Sequence, residues 1–125
     1  MLVAVVALLS IPSLPARADV DATGTYSCMT KTGLAFSTQI TERDNGHITG
    51  TYVFERSEIT GSFSGDMDNN DNLSYTWTEH AGDGGTTHND RGWGNMTWDL
   101  KGHMKAAWGR DNDGTAVGFW TCTKH

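Results

Sequence analysis

The residues best equipped for chemistry in this chain are rings. Trp77, Trp98, Trp108 and Trp120 occur with Tyr52, Tyr75 and Phe63 in stretches where large apolar side chains alternate with Ser, Thr or other small and polar residues. Flat indole and phenol faces stack on cyclic or apolar ligands, while an N–H or O–H at the ring edge fixes orientation. The same rings also make an ordinary core by packing edge to face. The sequence admits both a filled interior and an aromatic pocket.

Ionisable residues make a weaker case. Glu42, Glu55, Glu58 and Glu79 are carboxylates that could pair for acid–base work, but their strand positions predict mostly solvated, outward charges. Histidines 47, 80, 88, 103 and 125 lack zinc-type spacing. No phosphate-cradling glycine loop leads into a helix. The stretch Asp66-Met67-Asp68-Asn69-Asn70-Asp71-Asn72 begins like a calcium loop. Asp71 and Trp77 nevertheless stand where the sixth-position glycine and twelfth-position glutamate belong. It reads as a solvated turn. The expectation is a binding protein rather than an enzyme, with no cofactor and no metal site.

Those rings need a scaffold, and the alternation predicts it. Leu73, Tyr75 and Trp77 sit between Ser74, Thr76 and Thr78; Met96, Trp98 and Leu100 sit between Thr97, Asp99 and Lys101. Successive side chains on a strand face opposite ways, so one face enters a core and the other meets water. Turn formers divide the chain into eight strands, at about 23–32, 34–44, 47–55, 58–66, 72–81, 92–101, 103–110 and 115–124. Asp44-Asn45-Gly46 and Asn112-Asp113-Gly114 are hairpin signals. The predicted inward row includes Tyr26, Cys28, Leu34, Phe36, Tyr52, Phe54, Leu100 and the four tryptophans, with Gly50, Gly61, Gly65 and Gly118 on the same face. Short links favour an all-β fold, an eight-stranded antiparallel up-and-down β-barrel. Its interior is just wide enough for side chains or one small ligand.

The first residues read as an address. Leu2 to Leu9 is an unbroken apolar run, and Ala16-Arg17-Ala18 precedes Asp19 like a cleavage site, so residues 1–18 are expected to be a secretory signal peptide. Eight apolar residues fall short of the roughly 20 that span a bilayer, so no stable membrane span is expected. Residues 19–125 would form a single barrel domain, secreted or periplasmic. Of the nine basic residues Arg17 falls in the leader, so residues 19–125 carry eight against fifteen acidic ones, a formal charge of −7. Such a surface repels phosphate backbones and excludes nucleic acid as a partner. Cys28 and Cys122 are an even pair in an oxidising compartment, near the two ends of the mature chain. First and last strands of a barrel are neighbours, so a disulfide between them is expected.

Several motifs resemble the avidin/streptavidin biotin-binding barrels. Gly24-Thr25-Tyr26 is similar to the Gly-Thr-Trp of that family's first strand, and Ile48-Thr49-Gly50-Thr51-Tyr52 to the Leu-Thr-Gly-Thr-Tyr of its third. Val117-Gly118 with Thr121-Cys122-Thr123-Lys124 resembles its last strand. The resemblance implies a barrel whose open end is lined by Tyr52, Trp77, Trp98 and Trp108. Tyr52 would match a tyrosine that donates to the biotin ureido oxygen, and Thr32 would stand for a nearby serine. Other polar positions depart from the family: Cys28 replaces an asparagine, Trp120 an aspartate and Phe54 a serine. The turn around Asn112 lacks the tryptophan that a neighbouring subunit supplies there. Tight binding of biotin therefore does not follow from the resemblance, and the expected ligand is a small ring-containing or apolar molecule at that open end.

A second resemblance is to the periplasmic inhibitors of c-type lysozyme, through Tyr26-Ser27-Cys28, Cys122, Ser64-Gly65 and Tyr75-Thr76-Trp77, with Glu79 where those proteins carry a lysine. It implies the alternative function of a protein-interaction or inhibitor module acting through its loops, chiefly residues 80–92. Monomer and oligomer are both open on the sequence.

Overall fold

The computed structural model describes residues 21–54, 56, 58–80, 89–111 and 113–125, so the expected leader lies outside the described residues. Eight strands follow in order: β1 (Gly24–Thr30), β2 (Ala35–Glu42), β3 (His47–Phe54), β4 (Ile59–Met67), β5 (Asn72–His80), β6 (Asn89–Trp98), β7 (His103–Arg110) and β8 (Gly118–Lys124). Each pairs antiparallel with the next, and β8 returns to β1, closing an up-and-down barrel. Alternation is the cause. In β5, Leu73, Tyr75 and Trp77 are buried while Ser74, Thr76 and Thr78 between them are exposed.

Four hairpins share one construction. At 30–34, 43–47, 68–72 and 99–103, the first residue's N–H bonds to the fifth carbonyl, and the fourth N–H bonds back to the first carbonyl. The fourth residue takes a left-handed φ: 92° at Gly33, 81° at Gly46, 60° at Asp71 and 85° at Gly102. Glycine adopts that region without a Cβ clash, and aspartate tolerates it. Side-chain oxygens tie the loops further. Asp68 Oδ1 accepts from the N–H of Asn70 and Asn72, and Asp99 Oδ1 from those of Lys101 and His103.

These turns correct several expected bounds. Asp99 opens a turn, so β6 covers Asn89–Trp98 rather than 92–101. Leu100 therefore leaves the inward row and lies 78% exposed at a loop tip. Leu34 does the same, 45% exposed beside Gly33. The last strand begins at Gly118, three residues later than expected.

Barrel topology separates two ends. One carries the links at 43–46, 68–71 and 99–102 together with both ends of the described domain. It is plugged: Tyr26, Ile48, Met67, Leu73, Met96, Trp98 and Met104 are all buried. The segment before β1 completes the plug, with Ala22 fully buried and its N–H bonded to Glu42 Oε1 at 2.9 Å. At the opposite end lie the turn at 31–34 and the adjoining ends of β3 to β8. Cys28 and Cys122 face each other across the β1–β8 seam and form the expected disulfide.

Candidate functional site

At the end opposite the plug, a cavity is lined by rings: Phe36, Tyr52, Phe54, Phe63, Tyr75, Trp77, Trp108 and Trp120, with Thr30 and Glu79. Strand pairing decides how those rings lie. Tyr52 is opposite Gly61, Phe63 opposite Gly50, and Trp108 opposite Gly118. Each ring covers the glycine across from it. A Cβ built on Gly61 would come within 2.2 Å of Tyr52 Cζ, and one on Gly118 within 2.3 Å of Trp108 Nε1. The glycines therefore leave room for rings to fold down against the wall instead of filling the axis.

The rings meet at steep angles. Trp77 and Trp108 are perpendicular (87°, centroids 5.6 Å apart), as are Tyr52 and Phe54 (89°, 5.9 Å). Phe36 stacks on Phe54 at 4.6 Å and meets Trp120 edge-on at 5.2 Å. Edge-to-face contact sets the positive rim of one ring against the negative face of the next, which fixes the arrangement. The free space is about 430 Å³ when counted out through the mouth, but about 60 Å³ of it admits the centre of a water-sized sphere. A few waters fit there. Pockets that enclose a drug-sized ligand run to roughly 300–1,000 Å³. The interior is largely filled, and what remains is a shallow ring-lined recess.

Polar edges are mostly turned to the wall. Trp77 Nε1 lies 3.2 Å from the carbonyls of both Trp93 and Gly109, and the Tyr75 hydroxyl donates to the Ala107 carbonyl at 3.0 Å. Tyr52 is different. Its hydroxyl donates to Glu79 Oε1 at 2.8 Å, on the lining of the recess. Burial pushes the Tyr52 phenol well above its ordinary range, and the negative charge of Glu79 adds to the shift. Burial does the same to Tyr75, and the Trp120 indole partly offsets it. Both phenols keep their protons at neutral pH. At the rim, the Arg110 guanidinium lies 5.5 Å from the Trp108 ring centroid and is ion-paired with Asp90.

Of the residues singled out in the sequence, Tyr52, Trp77 and Trp108 line this recess together. Trp98 does not: it lies in the plug, its Nε1 donating at 3.1 Å to the Tyr26 hydroxyl, which in turn donates to the Ala22 carbonyl. Thr32 is exposed in the β1–β2 turn, 3.0 Å from the Thr30 hydroxyl, and Thr30 is the threonine on the recess. Glu79, expected to be outward, is half-buried and faces in. It shares the parity of Leu73, Tyr75 and Trp77, a signal that the carboxylate's polarity masks. Of the loop at 80–92, His80 and 89–92 belong to β5 and β6, and 81–88 lie outside the described residues. The Asp66–Asn72 stretch directs Asp68 to its own backbone. No group of three or more His, Cys, Asp and Glu among the described residues is placed to hold a metal ion.

Compared with protein-family models, curated proteins and solved structures, the chain matches none. Its agreement with the avidin-type barrel is one of strand number and connectivity.

Proposed function

We propose that this chain is an exported binding module that takes a small ring-containing or apolar group into the recess formed by Tyr52, Phe54, Trp77 and Trp108, and that it is not an enzyme. One observation supports this most. Nearly all the recess is ring surface, placed at one end of a barrel whose other end is plugged. Apolar walls of that kind favour burial of a compact group, with the rest of the ligand projecting through the mouth. The disulfide fits an oxidising compartment and thereby supports export. Titration of Trp fluorescence with small cyclic and branched-chain compounds tests the proposal. Saturable quenching that disappears in Trp108→Leu is the expected result. An unchanged spectrum across ring-containing and branched-chain compounds alike would refute it.

A second reading is supported by a different surface. Met29, Leu34, Val117 and Phe119 are 45–53% exposed around the loop ends of β1 and β8. The Lys31 N–H bonds to the Phe119 carbonyl, which ties the β1–β2 turn to β8, and the Lys31 ammonium lies 5.7 Å from the Phe119 ring centroid. Exposed apolar clusters mark protein contacts more often than chance, so a protein partner docking on the loops is the alternative. Val117→Ser with Phe119→Ser would abolish such capture and leave small-molecule quenching intact.

A further inference from the structure

We propose a second binding site, on the outer wall of the barrel, for an uncharged sugar ring that stacks on Trp93. Four of the five tryptophans line the recess or the plug. Trp93 instead takes the outward parity of β6, between buried Gly92 and Gly94. The ring is held in place there. Trp93 pairs across the sheet with Gly109, and a Cβ built on that glycine would come within 2.5 Å of Trp93 Cε2 and Cζ2. The indole therefore lies against the glycine, with its other face turned away from the sheet. Trp93 Nε1 donates to the Asp113 carbonyl at 2.8 Å, which fixes the ring's rotation. A preset ring on a surface is the kind of group that dominates binding energy.

A shallow dish borders the ring, with Ser64, Asp66, Ser74, Thr76 and Asn95 around it. Register explains the grouping: Thr76 is opposite both Trp93 and Ser64, and Ser74 is opposite both Asn95 and Asp66. The Ser74 hydroxyl donates to Asn95 Oδ1 at 3.3 Å, which leaves the Asn95 NH2 as a donor. His47 Nδ1 lies 2.9 Å from Asp66 Oδ1, which leaves Oδ2 as an acceptor. Such a mixed set matches adjacent sugar hydroxyls, each of which both donates and accepts. A pyranose with equatorial hydroxyls carries its axial C–H groups on a flat apolar face, the counterpart of an indole face. Charge narrows the class further. Thr76, Ser64, Thr49 and Thr41 continue the row from Trp93 across β5 to β2, and Thr78, Ser62, Thr51 and Gln39 form the row beside it. Neither row holds a charge, in a chain with fifteen acidic and nine basic residues. The basic groups that flank the rows, Arg91 and His47, are paired with Asp111 and Asp66. Uncharged glycans are the class that this wall complements.

The test titrates the mature chain with cellotetraose and chitotetraose, chains of equatorial-hydroxyl rings, and with a β-1,4-linked tetraglucuronate as the acidic probe. Calorimetry and ligand-observed NMR read the binding. At least one neutral probe should bind saturably, with a Kd of about 1 mM or tighter, and the acidic probe should not. Trp93→Ala should weaken binding about tenfold or more. Trp93→Phe, which keeps a ring over Gly109, should weaken it less. Thr76→Val and Asn95→Ala change exposed side chains, and each should cost about fivefold, the worth of one hydrogen bond. Those two variants decide the matter if Trp93→Ala lowers melting. Failure of both neutral probes, or binding that Trp93→Phe, Thr76→Val and Asn95→Ala all leave unchanged, would overturn the assignment. So would tighter binding of the tetraglucuronate. Self-association that Trp93→Ala abolishes would overturn it too, making this face a contact between copies. The barrel wall separates this site from the recess, so the binding function proposed there would stand in each case.

Discussion

Replacing Gly61 by alanine probes the arrangement on which the recess depends. The new Cβ would lie 2.2 Å from Tyr52 Cζ and 2.4 Å from its hydroxyl oxygen. Non-bonded carbon atoms rest at about 3.5–4.0 Å, so the ring must retreat by more than about 1 Å. Phe36 and Phe54 already lie against it, with centroids 6.2 and 5.9 Å away. Overpacking of a full core costs about 1–3 kcal/mol. Swinging the phenol away also breaks its bond to Glu79, which adds about 1 kcal/mol. The sum, about 2–4 kcal/mol, corresponds to a Tm lower by roughly 10–20 °C for a domain of this size. Urea denaturation followed by Trp fluorescence measures it. Gly114→Ala is the control, since a Cβ there meets nothing within 4 Å. In the double variant Gly61→Ala with Tyr52→Val, the losses should be less than additive, because the clash is gone. A Gly61→Ala protein within about 0.5 kcal/mol of the parent would refute the claim that the glycine makes room for the ring.

Other consequences follow from the same contacts. Cys28→Ala with Cys122→Ala releases a loop of 94 residues; the chain-entropy model gives a loss of about 4–5 kcal/mol, read as a lower urea midpoint that reductant reproduces in the parent. All three tyrosines, Tyr26, Tyr52 and Tyr75, have raised pKa values, chiefly through burial. Their stabilising effect is complete below the ordinary value of 10.0 and is lost as pH rises toward the folded values, so tyrosinate absorbance should emerge only with unfolding. A separate titration step near pH 10 in the folded protein would contradict this. Asp68 and Asp99 are held below the ordinary 3.8, first by the backbone N–H groups of Asn72 and His103 respectively. Stability they provide is present above 3.8 and lost as pH falls through their folded values, so Asp68→Asn with Asp99→Asn should flatten the acid limb of the urea midpoint against pH.

Much of the fold was legible because a strand's two faces have opposite fates. Leu73, Tyr75 and Trp77 against Ser74, Thr76 and Thr78 settle that face assignment wherever the alternation is unbroken. The turns were legible where Asp, Asn and Gly cluster, as at 44–46. They were misjudged where a single residue ends a strand early: Asp99 captures its neighbours' N–H groups and puts Leu100 in water, although Leu100 continues the apolar pattern. Glu79 was misjudged in the opposite direction. Its parity points inward, but a carboxylate's preference for water suggests otherwise until Tyr52 is found beside it.

By itself, the sequence determined an eight-strand closed meander, the pairing of Cys28 with Cys122, and which rings turn toward the axis. Period-two alternation and local turn chemistry are properties of neighbouring residues, so they can be read along the chain. Only the tertiary structure decided which rings share an end, sending Trp98 to the plug and Tyr52, Trp77 and Trp108 to the recess. It also decided how little space they leave. Both depend on strand register, which sets a ring opposite a glycine on a strand distant in sequence, and on how the closed sheet brings separate faces to one axis.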